Sequence, residues 1–154
     1  MVKRPNIAIK INQTYTKEDI NKLKEIKTQK KIEKTMKEFS KGDKYQLALE
    51  KLYLSYDKNK TLDKLKEKFI SKNKEKKIFQ KEKYLIYLKE SISSKQIISQ
   101  KTIENLAINR IKNIKHYLIN EKNIKENRVI IKKLKESVSN KNFTNFELEI
   151  SVVK

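Results

Sequence analysis

Three arginines stand out in a chain whose positive charge is otherwise all lysine. Of 39 basic residues only Arg4, Arg110 and Arg128 carry a guanidinium, the planar group that grips carboxylates and phosphates in two-pronged fashion. Arg110 sits on the clearest helical pattern of the sequence. Asp19 follows an alternating strand-like run and is a carboxylate it could hold. Such a pair, or a bond from Arg110 to a backbone carbonyl, would orient the helix. Arg128 opens a β-branched run and reads as a structural ion-pairing or loop-bonding residue. His116 is the only histidine and there is no cysteine, so multi-histidine and cysteine-ligated metal sites are excluded. The acidic neighbours Glu18 and Asp19 are accounted for by a helix start, and Glu147 and Glu149 by the wet face of a strand. No nucleophile accompanies either pair.

Composition narrows the classes further. One glycine in 154 residues cannot supply a glycine-rich phosphate loop, a nucleophile elbow or a dinucleotide fingerprint. No positive case for catalysis remains, and no cofactor is implied. The formal charge of +20 brings nucleic acid to mind, because phosphate neutralisation by a basic surface is largely independent of base sequence. Against that, the lysines run along the whole chain interleaved with glutamate, as in Lys64-Leu65-Lys66-Glu67-Lys68. That pattern reads as solvated helix faces. A nucleic-acid surface would need a continuous lysine face free of glutamate. No stretch reaches the roughly 18 apolar residues that would span a bilayer, and Met1 to Pro5 lacks the apolar core of a signal peptide. Taken alone, the chain reads as cytosolic.

The elements that must position these residues follow from periodicity. Asn6 to Gln13 predicts a strand, with Ile7, Ile9 and Ile11 on one face. Thr16 followed by Glu18 and Asp19 predicts a helix start, with a sparse apolar stripe running on to Phe39 and Gly42-Asp43 ending it. Tyr45 to Tyr56 predicts a second helix, and Asp57 to Lys60 a loop. Thr61 opens a short helix carrying Leu62, Leu65 and Phe69. Ser71 to Glu75 reads as a turn and Lys76 to Ile92 as a helix. Tyr45, Tyr53, Tyr56, Tyr84 and Tyr87, at helical spacings, read as core edge rather than a base-stacking platform. Thr102 to Asn120 carries Ile103, Leu106, Ala107, Ile111, Ile114 and Leu118 as a core stripe. Asn123 then takes a left-handed position that ordinarily wants glycine. Arg128 to Leu134 and Asn145 to Val153 are strands, the second with Phe146, Leu148, Ile150 and Val152 inward, and Ser137 to Asn142 is a loop. The expected class is α+β, a small three-stranded sheet with helices packed on one face. Residues 1–154 are read as a single domain with a helical insertion over 22–100, without internal repeats or a linker.

Leu106-Ala107, Arg110-Ile111, Ile114 and Tyr117-Leu118, then Asn123-Ile124 and Arg128-Val129, resemble the helix–loop–strand signature of OmpA-like domains. Lys3-Arg4-Pro5-Asn6-Ile7-Ala8-Ile9-Lys10-Ile11, with Tyr15 and Asp19, resembles the opening of a subgroup, the C-terminal region of large AsmA-like bacterial envelope proteins. In that subgroup helices are inserted after the first matched strand, here from about Lys22 to Gln100. The resemblance implies a non-enzymatic structural or interaction domain in the periplasm or cell envelope. Its partners would be the remainder of a larger envelope protein or another envelope component, with peptidoglycan as a further contact; separately, the charge of +20 would favour an anionic membrane surface without specificity. It implies that Arg110, with Asp19 as the acid, binds a peptidoglycan diaminopimelate. The match is incomplete: the family's acid position holds Tyr15 or Thr16, and its helix asparagine is Ile103. It also implies a domain lacking one strand and one helix, whose open sheet edge would promote self-association. The alternative is a lysine-rich nucleic-acid-binding protein.

Overall fold

The computed structural model describes residues 7–56, 61–73, 76–137 and 148–152. The loop expected over Asp57 to Lys60, most of that over Ser137 to Asn142, and the inward Phe146 lie outside them. So do Glu147, Arg4 and the Lys3-Arg4-Pro5-Asn6 part of the resemblance. The chain forms two compact units, residues 1–21 with 98–154, and residues 22–97.

The first unit is a three-stranded sheet under a helix. Strands β1 (Ile7–Tyr15), β4 (Val129–Glu136) and β5 (Leu148–Val152) are ordered β4-β1-β5, with β1 in the middle. β1 runs parallel to β4, placing Ile9 beside Val129 and Ile11 beside Ile131, and antiparallel to β5, placing Ile9 beside Ile150. Between Ile11 and Gln13 the β1–β4 register slips by one, so Asn12 faces two residues of β4, the geometry of a bulge. Helix α5 (Gln100–His116) lies against β1 and β4. Its Ile111 joins Ile11 and Val129 in the core, flanked by Ile9, Ile114, Leu118, Ile119 and Ile124. Burying a side chain such as Ile11, which is 0% exposed, contributes on the order of 1.5–3 kcal/mol. The α+β class and the small three-stranded sheet with a covering helix are as the sequence analysis expects.

Local rules explain the ends of α5. Ser99 caps its start, its hydroxyl accepting from the Thr102 amide at 3.3 Å. At its other end the last turn, Tyr117–Glu121, widens into a π-helix. This looser turn lets the consecutive Leu118 and Ile119 both reach the core. The chain then stops with the Ile124 amide bonded back to the Leu118 carbonyl at 3.0 Å, while Asn123 adopts φ +54°. A 3-10 turn, Glu126–Arg128, leads into β4.

The second unit is mainly helical, and the chain boundary between the units falls in α1 (Lys17–Met36). With it stand α2 (Lys44–Tyr56), α3 (Leu62–Glu67) and α4 (Lys81–Ser94), and a hairpin of β2 (Ile70–Asn73) with β3 (Lys76–Phe79). Ile32, Leu49, Tyr53, Leu65, Tyr84, Leu88 and Ile92 form its core. Tyr84, Leu88 and Ile92 repeat every four residues along α4, which gives one buried stripe. Phe69, Phe79, Tyr84, Tyr87 and Tyr53 interlock through ring pairs 5.4–6.3 Å apart.

Four expectations are corrected. Ser71 to Asn73, expected within a turn, belongs to strand β2. Lys76 to Phe79 is a strand, not the start of a helix, because it pairs with Ile70 to Asn73 and the Gln80 amide closes onto the Phe69 carbonyl at 2.8 Å. Helix α4 then runs through Ser91 and Ser93 to Ser94. Helix α1 stops at Met36, before Gly42, which sits at φ +83° just ahead of Asp43, the cap of α2. Ile150, expected inward, is 75% exposed; the main packing of α5 is on β1 and β4.

Candidate functional site

The start of α1 and the middle of α5 meet at one carboxylate. Thr16 and Asp19 form a reciprocal cap: the Asp19 amide donates to the Thr16 hydroxyl at 3.2 Å, and the Thr16 amide donates to Asp19 Oδ2 at 3.0 Å. This satisfies amides that a helix start leaves without partners. Arg110 reaches the same carboxylate with both terminal nitrogens, Nη1 to Oδ2 at 2.8 Å and Nη2 to Oδ1 at 2.6 Å. The two side chains are 10% and 26% exposed. Arg110 lies between Ala107 and Ile111, whose side chains face the core; that phase carries its stem along the edge of the packed face.

The charges reinforce each other. The Arg110 guanidinium holds the Asp19 carboxyl below the usual carboxylate range, against the opposing effect of burial, and the Thr16 amide adds to it. Asp19 in turn raises the already high Arg110 pKa. Chemically the pair is a closed clamp joining the start of α1 to α5. A carboxylate ligand would have to take the guanidinium away from Asp19, and an ammonium would have to take Asp19 from Arg110.

Arg128 and Asn123, expected as structural, are placed elsewhere. Arg128 Nε donates to the Ile7 carbonyl at 2.5 Å, tying the approach to β4 onto the start of β1. Asn123 is the turn residue described above. His116 Nδ1 lies 2.6 Å from the Asn120 amide nitrogen, one turn along the same helix end. On the sheet, Glu149 joins three strands, accepting from Asn12 of β1 at 3.3 Å and pairing with Lys132 of β4 at 3.1 Å. These bonds give Glu149 a structural role on the sheet. Among the described residues no group of three or more histidine, cysteine, aspartate or glutamate side chains could hold a metal ion.

Two features escape the sequence reading. In the helical unit, Glu50 is only 8% exposed. Its Oε1 accepts from Gln46 at 2.9 Å and Tyr84 at 3.0 Å and pairs with Lys66 at 2.9 Å. Burial pushes the Glu50 carboxyl up, but the bonds from Gln46, Lys66 and Tyr84 outweigh it and hold it low. The second is a partition of charge on α1. Lys24, Lys27, Lys30, Lys31 and Lys34 share one side of the helix, an arc of about 120° at 100° per residue. Glu25 and Glu33 fall on the other flank. Once α1 is known to be helical, a helical wheel reveals that sorting; composition hides it.

Among the described residues no helix is long and apolar enough to cross a membrane. No family model, curated protein or solved structure matches the chain.

Proposed function

We propose that the chain is a non-enzymatic structural or interaction domain, the C-terminal part of an AsmA-like envelope protein, serving as an anchor or partner-docking module. The observation that supports this reading is the Arg110-bearing helix laid over β1 and β4 with Asp19 in its grip, since the helix–loop–strand stretch around Arg110 carries the resemblance to OmpA-like domains and Asp19 stands in for the family's acid, whose own position holds Tyr15 or Thr16. Contact with peptidoglycan would be weak, because a diaminopimelate carboxylate must replace a two-pronged pair that already exists. The net gain is a difference between two similar charge-assisted bonds. Co-sedimentation with isolated peptidoglycan tests the reading. Weak, saturable binding is expected that Arg110→Lys abolishes while the fold persists. Indifference of the sedimented fraction to that substitution would remove Arg110 from any wall contact.

A second reading, nucleic-acid binding, is favoured by the glutamate-free lysine row on α1. It predicts association with duplex DNA that weakens steeply as salt rises.

A further inference from the structure

From the charge partition on α1 we infer that the row Lys24, Lys27, Lys30, Lys31 and Lys34 is a seat for the sugar–phosphate backbone of a nucleic acid. This inference rests on the nucleic-acid reading and adds to it a place and a set of residues.

Three observations carry it. The first is energetic. Neighbours three and four apart on a helix face each other, and like charges there repel by about 0.2–0.5 kcal/mol per pair. The row contains five such pairs: 24 with 27, 27 with 30, 27 with 31, 30 with 34, and 31 with 34. Among the described residues of the helical unit the salt bridges join Lys51 to Glu38, Lys66 to Glu50 and Lys81 to Asp43. None of them draws on this row. Within the helix Glu33, three residues from Lys30, offsets part of this self-repulsion; the rest would be relieved by an anionic partner.

The second is preorganisation. The Lys27 ammonium donates to the Ile97 carbonyl at 2.9 Å, and the Lys31 ammonium donates to the Tyr56 hydroxyl at 2.7 Å, which also accepts from Gln96 at 2.7 Å. Burial pushes the Tyr56 phenol up, but Lys31, Gln96 and nearby Lys27 outweigh it and hold it below its ordinary value. That is the signature of a place where a negatively charged oxygen is welcome. Two of the five ammonium groups are therefore held at fixed points rather than free to wander.

The third is shape. From Lys24 to Lys34 the row runs about 15 Å along the helix at 1.5 Å per residue, the axial length of about four phosphates of one duplex strand at 3.4 Å each. A line of charge of this length suits a linear polymer. A membrane fits less well: the exposed Ile26 lies outside the row, between the row and Glu33, so inserting it would carry a carboxylate toward anionic headgroups.

The test uses the full chain, a 20-base-pair DNA duplex, and vesicles of anionic lipid. The row variant is Lys27→Gln with Lys30→Gln and Lys34→Gln, all exposed positions. The control variant removes the same charge from exposed lysines elsewhere on the unit: Lys41→Gln, Lys64→Gln and Lys68→Gln. With each phosphate contact contributing about 0.9 to the slope of log K against log salt, the row variant should flatten that slope by about 2.7. With the two lines meeting near 1 M salt, it should bind about 500-fold more weakly at 0.1 M salt. The control should fall much less. If the wild type binds duplex and both variants weaken equally, the row is overturned while the nucleic-acid reading stands. If the wild type ignores duplex, both fail, and row-dependent binding to the vesicles would assign the row to a lipid surface instead.

Discussion

Breaking the clamp between Asp19 and Arg110 offers the sharpest check on the structural argument. Replacing Arg110 by Met keeps the apolar stem but strands a carboxylate that is 10% exposed. Full loss of one partner from a buried ion pair costs about 3–5 kcal/mol. Two features reduce that figure. Arg110 is 26% exposed and so partly screened, and the Thr16 amide still reaches Asp19. A loss of about 2–3 kcal/mol is expected. Asp19→Asn keeps an oxygen for the Thr16 amide and should cost about 1–2 kcal/mol. The double variant should cost less than the sum, with a coupling of about 1–2 kcal/mol. Urea denaturation followed by circular dichroism at 222 nm reads all three. The dependence on pH has a definite sign. Asp19 is lowered in the folded chain, so its contribution is complete above the unfolded carboxyl value of about 3.9 and is lost as pH falls through the lower folded value. The gap between wild type and Arg110→Met should therefore be level from neutrality to about pH 5 and close below about pH 4. Strict additivity of the two substitutions, or a gap that widens in acid, would refute the clamp.

Other consequences are equally direct. The Thr28 hydroxyl is buried without a hydrogen-bond partner, so Thr28→Val should raise stability by about 1 kcal/mol, seen as a higher melting temperature; a drop would mean that the hydroxyl is satisfied after all. Burial and the adjacent Glu50 push the Tyr84 phenol well up, so an alkaline titration at 295 nm should show a step well above the ordinary phenol range. Tyr84→Phe should delete that late step while leaving the earlier ones. Asn123 holds a positive φ and is exposed. Asn123→Gly should be neutral or slightly stabilising, while Asn123→Ala should cost about 1 kcal/mol, both measured by urea midpoint.

The parts legible in the sequence are those governed by neighbours a few residues apart. The isoleucine alternation of β1, the Thr16–Asp19 cap, the core stripe of α5 and the left-handed Asn123 each depend on short-range rules, and each can be read from the chain. The hairpin was hidden because Lys76 to Phe79 is only four residues long, too short for a period of two to outvote the apolar spacing of the helix that follows. Its partner strand and the Phe69–Gln80 closure fix it instead. Exposure of Ile150 depends on how far α5 reaches across the sheet, which no local pattern encodes. Asp19 and Arg110 are each conspicuous alone, yet their pairing across 91 residues of sequence is a property of the tertiary fold. The lysine row is invisible in the order of charges along the chain and appears only around the helix axis.

The central position of β1 sets an order of events during synthesis. Its Ile9 waits for Val129, 120 residues downstream, and then for Ile150 on its other side. Residues 22–97 form a compact unit and emerge from the ribosome well before those strands do. The first strand is thus made first and completed last. Contacts this distant in sequence form slowly, so a newly made chain passes through an interval in which a finished helical body trails an orphan, isoleucine-rich ribbon. During that interval the ribbon is the portion most in need of a chaperone.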